Sequence, residues 1–317
     1  MESTSAPLIR WGASTRRRHE LIGGVLRRVA PLIPNRPAPK APVFILGSPR
    51  SGTTMLFNLL DRSPRLVSLG RGSQLLWEMF HKDRGPEWTS HAVGPGSISS
   101  REPKVLYWAI DRLAGNARYL DKFPRNCLRA SYLHALFPDA YFVFIRRDGR
   151  SVVSSLMTGW QTADKFGSGT SLPVPLSIEG YEGRAWRFLV PPGWEGYASG
   201  RTLAEVCAFQ WVAANEAVLS AKEQIGTERW VDVSYEELLE DPRQTTARML
   251  DGIGVPADEE VLRWASEIDS HVSRTAVTVP SPDKWRKEHP HEVRSVLPAI
   301  EPMLRKLGYE IDAPTSG

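Results

Sequence analysis

Cysteine is scarce in this chain: Cys127 and Cys207 are the only two among 317 residues, far apart and without partners at metal-ligand spacing. That excludes a zinc site and a disulfide framework, and makes a reducing compartment the default. No apolar run approaches the length of a membrane span, and the N-terminus has no apolar core leading to a cleavage site. A soluble, cytoplasmic protein is therefore expected. Internal repeats are absent too. Nor is there a concentrated basic track, because the net charge of +4 and the pI near 9.1 are mild and the cations are dispersed except near the N-terminus. Such a balance suits a small anionic ligand better than a nucleic-acid partner.

What is present, 41% hydrophobic and 24% charged residues, is enough to bury one large core or two modest ones. The expectation is an N-terminal extension over residues 1–40 and one α/β domain over 41–312. The extension holds Arg16-Arg17-Arg18, Arg27-Arg28 and a Pro-rich stretch from Pro31 to Pro42, with Leu21, Ile22, Val25, Leu26 and Val29 at helical spacing. Gly23 and Gly24 weaken it as an independent helix, which favours a helix docked on its own domain over a basic amphipathic helix in weak contact with a membrane surface.

The chain is organised around Pro42–Leu60. An apolar run, Val43-Phe44-Ile45-Leu46, breaks at Gly47, passes through Ser48-Pro49-Arg50-Ser51-Gly52-Thr53-Thr54, and resumes as Met55, Leu56, Leu59 and Leu60 at helical spacing. This predicts a buried strand, a tight loop and a helix whose N-terminus and loop amides form a nest for a phosphate-like anion. Gly47 and Gly52 carry the spacing of a nucleotide P-loop, but Thr53 stands where the lysine that reaches the β- and γ-phosphates belongs, and the cation has moved to Arg50. A ligand with only two 5′ acidic groups fits better than a triphosphate.

Further strands are expected at Leu66–Leu69, Arg118–Lys122, Ala140–Ile145 and Trp230–Tyr235. Helices are expected at Ser73–His81, Pro103–Leu113, Pro124–Leu136, Leu203–Ile225 and Glu236–Ile253, with a last one ending near Leu307. The strand Ala140–Ile145 opens onto Arg146-Arg147-Asp148-Gly149-Arg150 and a helix, a second β-turn-α unit with cations at its anion-binding end. Residues 83–103 read as a surface loop carrying Trp88 and His91. From Thr158 to Thr202 regular periodicity vanishes while Trp160, Tyr181, Trp186, Phe188, Trp194 and Tyr197 appear among Gly and Pro, the pattern of a lid or an acceptor-binding insertion over 158–202.

The loop Pro49-Arg50-Ser51-Gly52-Thr53-Thr54 resembles the 5′-phosphosulfate loop of sulfotransferases that use 3′-phosphoadenosine 5′-phosphosulfate (PAPS). Arg147, with Ser155 eight residues on, is similar to the pair that grips the cofactor's 3′-phosphate in that family. Within it, the motifs look most like those of tyrosylprotein sulfotransferases. Lys122 matches a lysine placed before a similar proline, Tyr235 a tyrosine near the cofactor, and Lys284-Trp285 a late element on the 3′-phosphate side. The resemblance implies a P-loop-type three-layer α/β/α fold with a mainly parallel sheet, PAPS as co-substrate, and no metal. Arg50 and Lys122 would neutralise the bridging and sulfuryl oxygens. The glutamate that these relatives carry after the second strand is missing, since the residues here are Gly70-Arg71-Gly72-Ser73. Glu78, one turn beyond Gln74, becomes the first candidate base, and His91 the second, with His81 a further rival. The expected reaction is sulfuryl transfer to a hydroxyl or amine of a small, apolar or aromatic acceptor. A P-loop nucleoside phosphotransferase predicts the missing lysine and magnesium dependence. A non-catalytic nucleotide-binding protein stays open because of the missing glutamate.

Overall fold

Val43–Leu46 (β1) is buried along its whole length, as befits four consecutive apolar residues at the centre of a parallel sheet. In the computed structural model, which describes residues 22–70, 73–83, 85, 88–162, 169–268 and 284–311, β1 lies between Arg118–Asp121 (β3) and Tyr141–Arg146 (β4). Leu66–Val67 (β2) extends the sheet beyond β3, and Trp230–Ser234 (β8) beyond β4. The order is β2-β3-β1-β4-β8 and every pairing is parallel. The mainly parallel sheet is as expected.

Side chains alternate between two cores, as the period of a strand requires. Phe44, Leu46, Tyr119, Phe142 and Phe144 point to one side, where Ser73–Glu78 (α2), Glu102–Ala114 (α3), Ala130–Leu136 (α4), Gly149–Gln161 (α5) and Leu203–Ile225 (α6) cover them. Val43, Ile45, Leu120, Val143 and Ile145 point to the other, beneath Thr53–Leu60 (α1), Tyr235–Glu240 (α7), Pro242–Gly252 (α8) and Glu259–Ser266 (α9). Short helices Trp285–Glu288 (α10), Pro290–Ser295 (α11) and Leu297–Lys306 (α12) close the first side.

Three expectations change. The helix expected over Glu236–Ile253 is two helices, because Asp241 caps the second through its side chain on Gln244 N and Pro242 opens it. The Pro124–Leu136 helix starts as a 3-10 turn, Pro124–Leu128, before α4. The stretch from Thr158 to Thr202 is not irregular: α5 runs to Gln161, and Thr170–Ile178 (β5), Tyr181–Trp186 (β6) and Ser199–Arg201 (β7) form a separate sheet of order β6-β5-β7. Its aromatic residues extend the first core, with Trp160 edge-on to Tyr181 and Trp186, and Trp186 edge-on to Trp194.

At the N-terminal side, residues 22–29 are helical and docked. Ala30 and Ile33 pack with Met79 and Val105, and Arg27 donates to the Met79 carbonyl at 2.8 Å. Arg16, Arg17 and Arg18 lie outside the described residues. Among the described residues no helix is long and apolar enough to cross a membrane, and no group of side chains could hold a metal ion.

Candidate functional site

The loop after β1 is shaped by two close approaches. A Cβ on Gly47 would sit 2.7 Å from the Ile145 carbonyl oxygen, and one on Gly52 would sit 2.5 Å from the Tyr235 ring. Gly52 has φ +95°, and the loop's arginine, Arg50, is itself left-handed at φ +73°. Ser51 N closes the turn on the Ser48 carbonyl at 3.1 Å. Helix α1 then starts at Thr53 with no side chain capping it, so its first amides and its dipole face the loop.

The second unit meets the first here. Arg50 Nε donates to Ser155 Oγ at 3.0 Å, joining the loop after β1 to α5. Arg147, just beyond β4, donates through a guanidinium N–H to the Arg50 carbonyl at 3.0 Å, and its guanidinium lies 4.1 Å from the centre of the Tyr235 ring. The Arg147 Nε–H is buried without a partner among the described residues. Two cations are thus held against each other, and burial, with Arg147 second, pulls the Arg50 pKa down to about 10. On the other side of the loop, Lys122 Nζ donates to Thr54 Oγ1 at 3.2 Å. Arg50, Ser51, Gly52, Thr53, Thr54, Lys122, Arg147, Ser155 and Tyr235 therefore surround the carboxyl ends of β1, β3 and β4, which is where ligands of open α/β sheets bind.

Trp285 is buried beneath the guanidinium groups of Arg150, at 5.8 Å, and Arg286, at 4.7 Å. Its helix α10 packs on α5, and His289 Nδ1 meets the hydroxyl of Ser154, neighbour of Ser155, at 2.8 Å. Lys284 pairs with Glu288 at 3.1 Å, and Asp283 lies outside the described residues. Lys284 and Trp285 are thus close to α5, but no contact links either to Arg147 or Ser155 among those the structure gives.

The candidate bases separate. Glu78 ends α2, accepting from Gln74 Nε2 at 2.7 Å and from Arg125 at 2.6 Å, while Arg125 also holds Asp83 at 3.1 Å. His81 is committed to Glu102 at 2.9 Å. His91 is not a surface-loop group at all, which corrects the expectation. It is fully buried, its Nδ1 accepts from Val190 N at 3.0 Å, and its Nε2 meets Thr170 Oγ1 at 3.1 Å. Burial, then Arg125 and Arg129, holds its pKa well below the usual value, so it is a neutral strut between the 88–94 loop and the second sheet and has no nitrogen left to take an acceptor's proton. Arg71 and Gly72, at the position of the absent glutamate, lie outside the described residues.

Sequence reasoning passed over Asp121, whose buried carboxylate collects Trp77, Tyr119 and Asn126 directly beside Lys122. The available signal was an acid closing an otherwise buried strand. It also missed Gln210, which donates to the carbonyls of Arg187 and Leu189 at 2.7 and 2.6 Å and fixes the left-handed Phe188 between them.

Comparison with known proteins places the chain within a family. A model described as "Sulfotransferase family" matches residues 42–172 and 190–259, leaving out Pro173–Leu189, most of the β5–β6 hairpin. The chain is 26% identical over 294 residues to Protein-tyrosine sulfotransferase A of Caenorhabditis elegans, across 86% of this chain and 68% of that protein. It is 27% identical over 297 residues to nodulation protein NoeE of Sinorhizobium fredii (strain NBRC 101917 / NGR234), across 84% of this chain and 65% of that protein. Among solved structures, sulfotransferase STF9 from Mycobacterium avium superposes with a TM-score of 0.54 at 16% identity, covering 95% of this chain and 88% of that one, a likeness of fold.

Proposed function

The chain belongs to the sulfotransferase family, and from that premise we propose that it moves the sulfuryl group of PAPS to the hydroxyl of a small aromatic acceptor, a phenol above all, with amines as a second class. The observation that carries the nucleotide half is the meeting of Arg50, Arg147 and Ser155, two mutually repelling half-buried cations and a hydroxyl drawn from two β-turn-α units. Among the described residues Arg147 has a carbonyl and a ring as partners, so it is a cation built for an anion from outside. Arg147 and Ser155 suit a 3′-phosphate, with Lys284 and Trp285 at the margin of that half. Pro49 to Thr54 and the α1 amides suit the 5′ groups.

PAPS supplies an activated sulfuryl group. The protein's share is to hold donor and acceptor in line and to meet the negative charge that grows as the bond to the leaving phosphate breaks. Arg50 and Lys122, on opposite sides of the loop, are placed for that charge. We assign the acceptor's proton to Glu78, whose carboxylate is held by Arg125 at 2.6 Å at the end of α2. The β5–β7 sheet would form the wall or lid of the acceptor side. The domain itself spans 41–312 in this reading, and two free, buried cysteines suit a cytoplasmic location.

The experiment has two arms. Titration calorimetry should show 3′-phosphoadenosine 5′-phosphate (PAP) binding far more tightly than AMP or ADP, and labelled PAPS should yield sulfated product from phenols ahead of alcohols, with or without EDTA. Equal affinities for the three nucleotides, or magnesium-dependent transfer of phosphate, would overturn the reading. Tight PAP binding with no product from phenols, alcohols or amines would establish a non-catalytic binder instead.

A further inference from the structure

Asp121 closes β3 one residue before Lys122, on the opposite face of the sheet. Tyr119 and Asp121 turn towards the aromatic core, whereas Leu120 turns into the other core and Lys122 reaches Thr54 of α1. The Asp121 carboxylate is 1% exposed and both of its oxygens are engaged. Tyr119 Oη donates to Oδ1 at 3.0 Å, and Trp77 Nε1 and Asn126 Nδ2 donate to Oδ2 at 3.0 and 2.6 Å. Every one of these partners is neutral.

A carboxylate buried among neutral donors is costly to hold, and it is found where its hydrogen bonds fix something. What these bonds fix is specific. Trp77 belongs to α2, the helix that follows the absent glutamate and ends in Glu78. Asn126 belongs to the 3-10 turn that follows Lys122, and Tyr119 to β3. One side chain therefore ties together the strand that delivers Lys122, the turn that receives the chain after it and the helix that carries Glu78. It is unsuited to proton transfer itself, having neither a free oxygen nor access to solvent.

We propose that Asp121 is a positioning residue: its hydrogen bonds lock the end of β3 between α2 and the Pro124–Leu128 turn, and so aim the Lys122 amine at Thr54 and the loop after β1. The task assigned to Lys122 rests on the sulfotransferase reading, whereas its aim does not.

Asparagine can replace the group almost without change of shape. Its oxygen accepts from Trp77 and Asn126, and its amide turns to the Tyr119 oxygen, so Asp121→Asn should preserve the lock where Asp121→Ala removes it. Burial pushes the Asp121 pKa up to about 6, and protonation would put a hydrogen where one of the donors now points. Of the three donors only Tyr119 titrates, and burial and Asp121 hold its pKa well above the usual value, so it stays a donor throughout. Lys122 is the charged neighbour along the chain.

The test reads Lys122 directly. In the full-length, ligand-free protein, acetic anhydride labelling of Lys122, followed by peptide mass spectrometry, should accelerate at least about threefold in Asp121→Ala and stay within about twofold of wild type in Asp121→Asn. With PAPS and 2-naphthol as probe, kcat should fall about tenfold or more in the alanine variant while KM for PAPS holds, and the asparagine variant should restore it. Wild-type kcat should also decline below about pH 6 on a limb that Asp121→Asn lacks. If the alanine variant does not fold, Asn126→Ala, which deletes one donor and keeps the carboxylate, should show the same rise in labelling. Unchanged Lys122 reactivity in a folded Asp121→Ala or Asn126→Ala protein overturns the inference. A wild-type protein that neither binds PAP nor turns over PAPS would overturn the sulfotransferase reading instead, with the labelling arm still deciding the aim of Lys122.

Discussion

Arg147 has two partners among the described residues, the Arg50 carbonyl and the face of Tyr235, and neither is an anion. Replacing it therefore breaks no ion pair among them, and its whole charge-assisted contact is available to a 3′-phosphate. Arg147→Ala should weaken PAP binding by about 1.5–3 kcal/mol while barely altering affinity for AMP, as measured by calorimetry. Arg50→Ala and Lys122→Ala should behave differently, lowering kcat about a hundredfold or more with a smaller change in nucleotide affinity, if, as proposed, the charge they meet grows in the transition state. Single-turnover rates at saturating PAPS separate the two effects. The positions of these residues at the strand ends are legible in the amino-acid order itself, since loop motifs place cations a fixed number of residues after a strand and local spacing is all they need. Asp121 and His91 are not. Whether a polar residue is buried and satisfied depends on Trp77, Asn126, Thr170 and Val190, partners that arrive from other elements of the fold. A histidine in a Gly- and Pro-rich stretch looks the same in sequence whether it faces water or a second sheet.

Among the elements, two glycines at apparently similar turns carry different loads. A Cβ on Gly149, at the start of α5, would lie 2.7 Å from the Trp211 ring of α6, so Gly149→Ala should destabilise the fold by about 1–3 kcal/mol as an overpacked contact, with nucleotide affinity intact in the folded fraction. Gly52→Ala meets the Tyr235 ring and a left-handed φ of +95°, so it should distort the loop and lose PAP binding first. Denaturation midpoints beside calorimetry for both variants would show the split. Strands and helices with clean periodicity were readable, and the elements that were misread share a cause. Pro173 and Pro175 fall inside β5, where the ladder to β6 breaks register between Ser171 and Leu176, so the alternation that announces a strand is interrupted where it would be sought. The division of α7 from α8 was written in Asp241-Pro242, a cap followed by a first-turn proline, but continuous apolar spacing on both sides masked it.

For the molecule as a whole, two buried groups set opposing pH slopes. Asp121 has its folded pKa raised from 3.8 to about 6, so the native state holds the extra proton and this contribution to stability declines as pH rises across that window. His91 has its folded pKa depressed from 6.5, so acidification favours the unfolded chain, where the imidazole can be protonated, and stability falls as pH drops below 6.5. The two partly cancel in wild type. Asp121→Asn removes the first alone, so melting temperatures of that variant should fall more steeply than wild type between about pH 6.5 and pH 4. The parallel sheet and its placement of the loop were foreseeable from the two β-turn-α units. The second sheet's contact with the 88–94 loop was not, since it depends on pairing across long sequence separations. The lock of Arg147 between Tyr235 and the Arg50 carbonyl has a kinetic side as well. In the reading proposed above it would grip a phosphate that the reaction leaves untouched, so departure of the spent nucleotide, rather than chemistry, is expected to set the pace. Rapid-quench experiments should then show a burst of sulfated product equal to the enzyme present, followed by a slower steady state that added PAP depresses further. A linear first turnover would place the slow step at the transfer itself.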